Sequence, residues 1–192
     1  MYEVEVKVPV DLEAVRRRLR DLEAESLGAV VQEDTYYDAP HRSFPETDEA
    51  LRIRSESVAE EGDEAEEDDH METRVTYKGP LVDEGSKTRA ELETGVADDE
   101  TFDGILTNLG FEPVPTVRKE REHFVLEAFE EYTITLDDVD GVGEFVEVET
   151  DATESELEAA RDGAYEVLER LGLDPDDQIR TSYLELLLEG RE

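Results

Sequence analysis

The stretch "YEVEVKVPV", residues 2–10, decides the reading of the fold. Charged and apolar residues alternate strictly along it, with Glu3, Glu5 and Lys7 set against Val4, Val6, Val8 and Val10. A period of two is the mark of a strand whose two faces meet different surroundings. The valine face asks for a core. The other face is the puzzle, because it keeps a lysine beside glutamates in a chain that has almost no lysine.

The chain of 192 residues carries 56 Asp and Glu against 19 Lys and Arg, for a formal net charge of −37. Its only lysines are Lys7, Lys78, Lys87 and Lys119. Charge of this size opposes a compact state by self-repulsion unless salt screens it. At about 1 M salt the Debye length is only about 3 Å. The acid is spread through the chain, which reads as adaptation to a salt-rich cytoplasm, as in a halophile, rather than as one acidic docking surface. No basic face is visible, which excludes nucleic acid as a partner. Hydrophobic residues make up 37% and fall in periodic segments, so the chain is not a disordered acidic tail. No run of about 18 apolar residues offers a membrane span. The N-terminus lacks the order of a signal peptide, and with no cysteine there is no disulfide framework or thiolate chemistry. A single cytoplasmic domain over 1–192 is the expectation.

Outward from the first strand, "DLEAVRRRLRDLEAESLG" predicts a helix with Asp11 as N-cap and Gly28 just past its end. Strands are predicted over 30–38, 50–57, 71–80 and 86–94, with a loop over 39–49. The run 58–70 is an acidic low-complexity loop insertion. A helix over 98–110 follows, then a hairpin of 116–129 and 131–139 turning at Glu130, and a strand over 143–150. "TESELEAARDGAYEVLERLG" predicts a helix with a capping box from Thr153 to Glu156. "TSYLELLLEG" predicts a short final helix. About eight strands with short connections imply antiparallel pairing, and eight such strands can close into a barrel with a narrow interior. The fold class is α+β, an eight-stranded antiparallel barrel with flanking helices.

Side chains at alternate positions share one face. That face carries Glu3, Glu5 and Lys7, then Arg52 and Arg54, then Arg74, Thr76 and Lys78. It continues with Arg89, Glu91 and Glu93; Lys119, Arg121 and His123; Thr133, Thr135 and Asp137; and Phe145, Glu147 and Glu149. A plain solvent face is the bland explanation for any one strand. In this chain, however, a solvent face should be overwhelmingly Asp and Glu. Gathering cations against acids on every strand points to charges that meet across an enclosed space. Arg and Lys clusters bind phosphate oxygens, and clustered carboxylates bind hard cations such as Mg²⁺ or Mn²⁺. Together they suit a metal–polyphosphate ligand. No Walker or GxGxxG glycine loop is present. His41, His70 and His123 show no zinc spacing.

These residues carry a resemblance. "EVEVK" is similar to the ExExK signature of the CYTH family, the triphosphate tunnel metalloenzymes, which joins class IV adenylyl cyclases, thiamine triphosphatases and inorganic triphosphatases. "LRIR", "TYKGP", "TRAELE", "VRKERE", "TLDDVDGVGEFVEVE" and "RTSYLELLL" resemble the family's later motifs in order, with the cyclase branch nearest. The resemblance implies a tunnel holding a triphosphate and a divalent metal. It implies Glu3, Glu5, Asp137, Glu147 and Glu149 as the metal set. Arg52, Arg54, Lys78, Arg89, Lys119 and Arg121, with Arg180 set against a late basic position, are the triphosphate set. Lys7, Arg54 and Lys78 are the catalytic candidates, Lys7 to orient or activate the nucleophile. The substrate implied is ATP, tripolyphosphate or thiamine triphosphate. Cyclisation, hydrolysis and non-catalytic binding of a polyphosphate or nucleotide all fit, as does a homodimer.

Overall fold

The computed structural model describes residues 1–58, 72–82 and 85–190. The acidic run, from residue 59 onward, lies outside the described residues. The strands are β1 (Tyr2–Pro9), β2 (Glu25–Asp38), β3 (Ala50–Val58), β4 (Glu72–Leu81), β5 (Lys87–Gly95), β6 (Glu112–Val125), β7 (Thr133–Val139) and β8 (Gly143–Ala152). They close into a barrel in the order β1-β5-β4-β3-β2-β6-β7-β8, with every neighbouring pair antiparallel. The closing seam pairs β1 with β8 from Tyr2 opposite Ala152 to Pro9 opposite Phe145.

The alternation read in residues 2–10 is therefore real, but the apolar face points outward. Val6 and Val8 of β1, Ile134 and Leu136 of β7, and Val146 and Val148 of β8 pack against helices laid on the outside of the barrel. These are α1 (Leu12–Asp21), through Leu12, Val15 and Leu19, and α3 (Leu157–Leu171), through Ala164, Val167, Leu168 and Leu171. Each such Val, Leu or Ile side chain, fully buried, contributes about 1.5–3 kcal/mol. The polar face of the same strands is left to line the interior.

Helix α2 (Asp99–Asn108) starts at the Asp98 cap, whose carboxylate accepts from Thr101 N at 2.8 Å, and ends before Gly110, which has φ +93°. Helix α4 (Tyr183–Glu189) carries a complete capping box of Ser182 and Glu185. Its Tyr183 and Leu187 pack against Val117, Val139 and Phe145. Those three share the inward face with Lys119, Asp137 and Glu147, so α4 seals one end of the interior with apolar contacts. Among the described residues, no helix is long and apolar enough to cross a membrane.

Three boundaries differ from the sequence expectation. Helix α1 keeps its Asp11 cap but stops at Asp21 rather than reaching 28. Glu25 to Gly28 pair instead with Val125 to His123 of β6, and pairing of this kind outweighs local helix preference. Gly28 is not a helix terminator. At φ +114° it sits where the ladder register shifts, a bulge position. Helix α3 begins at Leu157, and the Glu156 carboxylate accepts from Thr153 N at 3.2 Å in the turn before it, so only half of the expected box exists. Strand β6 begins earlier than expected, running through Pro113 and Pro115. Both prolines precede Lys119, where the ladder to β7 begins, so they remove no ladder bond to that strand.

Candidate active site

The inward faces enclose a cavity of 290 Å³ whose lining includes Glu3, Glu5, Arg52, Arg54, Lys78, Arg89, Lys119, Arg121, Glu147 and Glu149. Ten of the residues expected at the site are thus brought together from six strands. Lys7 and Asp137 lie just behind that lining, fully buried and in contact with it. Arg180 is exposed and does not line the cavity. Arg74 pairs with Glu72 and Glu93 at the surface. His123 is half-buried, with Nδ1 3.1 Å from Thr135 Oγ1.

One wall is built by β2, β3 and β6 around Asp34. Arg54 donates to Asp34 through Nε at 2.6 Å and Nη2 at 2.8 Å, and Arg52 donates through Nη1 at 3.3 Å. Lys119 Nζ lies 3.6 Å away. Burial acts to raise the Asp34 pKa, but Arg52, Arg54 and Lys119 together hold it well below the carboxylate range. Lys119 is pushed down to about 7 by burial and by Arg121 and Arg54, against the pull of Asp34 and Asp137.

The opposite wall is built by β1 and β8. Register places Glu5 opposite Glu149 and Lys7 opposite Glu147. Lys7 Nζ sits 3.9 Å from Glu5 Oε1 and 3.9 Å from Glu147 Oε1, makes no hydrogen bond, and lies 4.1 Å from the centre of the Tyr183 ring. Burial and Lys87 lower it to about 8, while Glu5 and Glu147 oppose the shift. Arg121 donates to Asp137 through Nε at 2.5 Å and Nη2 at 2.8 Å and also bonds Glu147. Tyr183 donates to Asp137 Oδ2 at 2.7 Å. Lys78 bridges Glu3 at 2.5 Å and Glu91 at 2.7 Å, and Lys87 reaches Glu5 at 3.6 Å. At the cavity margin Arg89 donates to the carbonyl of Asp48 at 3.0 Å.

Whether this wall suits a divalent cation can be read from its carboxylates. No three of the described Asp, Glu and His side chains are already gathered as a metal cage. The donor set nevertheless fits a hard cation. Glu149 is pushed up to about 7 by burial and by the repulsion of Glu3, Glu147 and Glu5, with Arg121 opposing. Glu5 Oε1 is buried without a hydrogen bond. These carboxylates hold more negative charge than their present partners neutralise, which is what a bound cation relieves.

The sequence reading missed Asp34, Lys87, Tyr183 and Glu91 as site residues. Lys87 and Glu91 were in phase with Arg89, and Lys87 is one of the rare lysines, so both signals were present. Asp34 shares its strand face with Gln32 and Tyr36, yet one aspartate attracts no notice in so acidic a chain.

The CYTH domain family model matches residues 1–183. The chain belongs to the CYTH family. A protein of Methanocaldococcus jannaschii, provisionally named an adenylate cyclase, is 39% identical to this CYTH chain over 97% of it and 98% of its own length. A solved structure of a Pyrococcus horikoshii protein is also 39% identical, with a TM-score of 0.86 over 97% of this chain and 98% of that one. A Hippeastrum protein described as a provisional adenylyl cyclase with dominant triphosphatase activity shares the CYTH fold at 16% identity, with a TM-score of 0.64 over 98% and 95% of the two chains.

Proposed function

We propose that this CYTH protein is a metal-dependent enzyme acting on a triphosphate inside its barrel, and that its reaction is that of a class IV adenylyl cyclase. The observation that carries the reading is the opposition of a cationic wall and a carboxylate wall across one cavity. The naming of the M. jannaschii relative, at 39% identity over nearly the whole chain, supports the cyclase label. Arg52, Arg54, Arg89, Lys78 and Lys119 would hold the phosphate oxygens, the arginines through their forked donors. Glu3, Glu5, Glu147 and Glu149 would hold Mg²⁺ or Mn²⁺. Asp137 would join them only by releasing Tyr183 or Arg121, which now occupy both its oxygens.

The bound cation would offset phosphate charge and remove the repulsion between carboxylates and triphosphate. The protein's own part is positioning and charge stabilisation. Lys7 would orient the attacking oxygen, since its ammonium has no hydrogen bond to give up. In the cyclase the 3′-hydroxyl oxygen of ATP bonds to the α-phosphorus, the bond from that phosphorus to the β-bridging oxygen breaks, and pyrophosphate leaves as the hydroxyl proton is lost. The second reading is hydrolysis, in which water attacks the terminal phosphorus and orthophosphate leaves. Its support is that most of the residues lining the cavity are charged, with Tyr36, Pro45, Ala50, Tyr183 and Leu184 as the apolar and aromatic exceptions. A bare triphosphate would use nearly all of it. Separate incubation with ATP, tripolyphosphate and thiamine triphosphate, with Mg²⁺ or Mn²⁺ in high salt, decides by product. Cyclic AMP supports the cyclase, orthophosphate alone the hydrolase, and no product leaves only a binding module.

A further inference from the structure

Asp34 is completely buried and does not line the cavity, yet Arg52, Arg54 and Lys119 of the β2–β3–β6 wall all lean on it. In the strand order β2 lies between β3 and β6, so a β2 side chain is the one that can reach Arg52 and Arg54 on one neighbour and Lys119 on the other. Register puts Asp34 directly opposite Arg54. The arginine grips it side-on through Nε and Nη2, which leaves Nη1 uncommitted. Arg52 gives it only Nη1, and Arg52 Nε is buried with no acceptor. Two guanidiniums and an amine share one carboxylate, which leaves positive charge in excess and donors that have nothing to bond. A polyanion in the cavity supplies the missing acceptors.

We propose that Asp34 is the positioning residue of the phosphate-binding wall: it fixes the guanidinium planes of Arg52 and Arg54 and the ammonium of Lys119 so that their free donors converge on the ligand. The inference rests on the triphosphate reading above. Asp34 touches no substrate and acts through its three partners. A carboxylate that merely diluted the positive field would weaken anion binding, and its removal would strengthen it. A positioning carboxylate has the opposite sign, because without it the cations repel one another and lose their common aim.

The test is the affinity of the full-length protein for inorganic tripolyphosphate, measured by calorimetry in EDTA so that no metal contributes. Asp34→Asn adds one unit of positive charge to the site, yet binding should weaken by roughly tenfold or more. Unchanged or tighter binding by folded Asp34→Asn overturns the proposal. Should that variant fail to fold, Arg54→Lys keeps both the charge and Asp34 but loses the fork. It should weaken binding by a similar factor, and unchanged affinity overturns the proposal equally. Where both fold, the losses in the double variant should fall short of additive; full additivity counts against it. Failure of the wild type to bind tripolyphosphate would remove the functional reading and this inference together, whereas binding by the wild type with unaltered variants removes the inference alone.

Discussion

On the β2–β3–β6 wall three cations share one carboxylate, whereas across the cavity Glu3, Glu5, Glu91, Asp137, Glu147 and Glu149 gather around four cations, Lys7, Lys78, Lys87 and Arg121. The first wall lacks acceptors and the second lacks positive charge. A metal-bound polyphosphate supplies both at once, while a free anion or a free cation completes only one. The walls also differ in what stands behind them. Strands β1 and β8 lie against α1 and α3, with Val4, Val146 and Val148 at 0% exposure. On the outside of β5, Leu92 is 68% exposed. Among the described residues, the acid wall is backed from outside by two helices, whereas the cationic wall is backed by α2 alone, through Leu106 against Tyr37 and Ile53, and is held from within by its own ion pairs.

The contrast breaks hardest at the acid wall. Lys7→Ala or Glu147→Ala should lower turnover by about a thousandfold or more while far-UV circular dichroism stays unchanged. Metal-free tripolyphosphate binding should change much less, because the opposite wall is intact, and undiminished turnover would count against the assigned site. Next, removing the backing by Leu168→Ala should cost about 2–5 kcal/mol in urea unfolding, since Leu168 is fully buried between helix and barrel. A loss below about 1 kcal/mol would mean the helices do not brace that wall.

The cationic wall makes a prediction about protons. Lys119 is held at about 7, against about 10.4 for an ordinary lysine. Between those values the unfolded chain carries a proton that the folded chain lacks, so this residue makes stability rise with pH across that window. A polyanion restores the charge, so binding at pH 8–9 should take up protons, read by calorimetry in buffers of different ionisation enthalpy. Lys119→Met should reduce that uptake, and proton release instead would contradict the account. The smallest effect belongs to the uncovered face, where Leu92→Ser should alter stability by no more than about 0.5 kcal/mol.

Much of this was legible because rarity is informative. Lysine is so scarce that Lys7, Lys78 and Lys119 marked the interior face, and strict alternation fixed which neighbours shared it. The barrel followed from counting strands. Asp34 was hidden by the same bias in reverse, since one more aspartate in an acidic chain says nothing about where it points. The direction of the apolar face was also not contained in the alternation of residues 2–10. A period of two separates the faces but does not say which looks inward; the scarce cations on the charged face indicated it, and the packing of α1 and α3 on the valine face agrees. The length of α1 was misjudged because pairing of Glu25 to Gly28 with β6 is a contact between distant segments, and no local pattern carries it.

The seam between β1 and β8 has a consequence for synthesis. Tyr2 to Glu5 can pair with β5 once that strand exists, but among the described residues Val6 to Pro9 pair only with β8 and, at Lys7, with Ile179, which is made later still. The first strand made therefore waits on the ribosome for nearly the last, and closure of the ring is an event of the finished polypeptide. A nascent chain truncated before β8 holds Lys7 without Glu147 opposite it, so the proposed site is completed only when translation is almost finished.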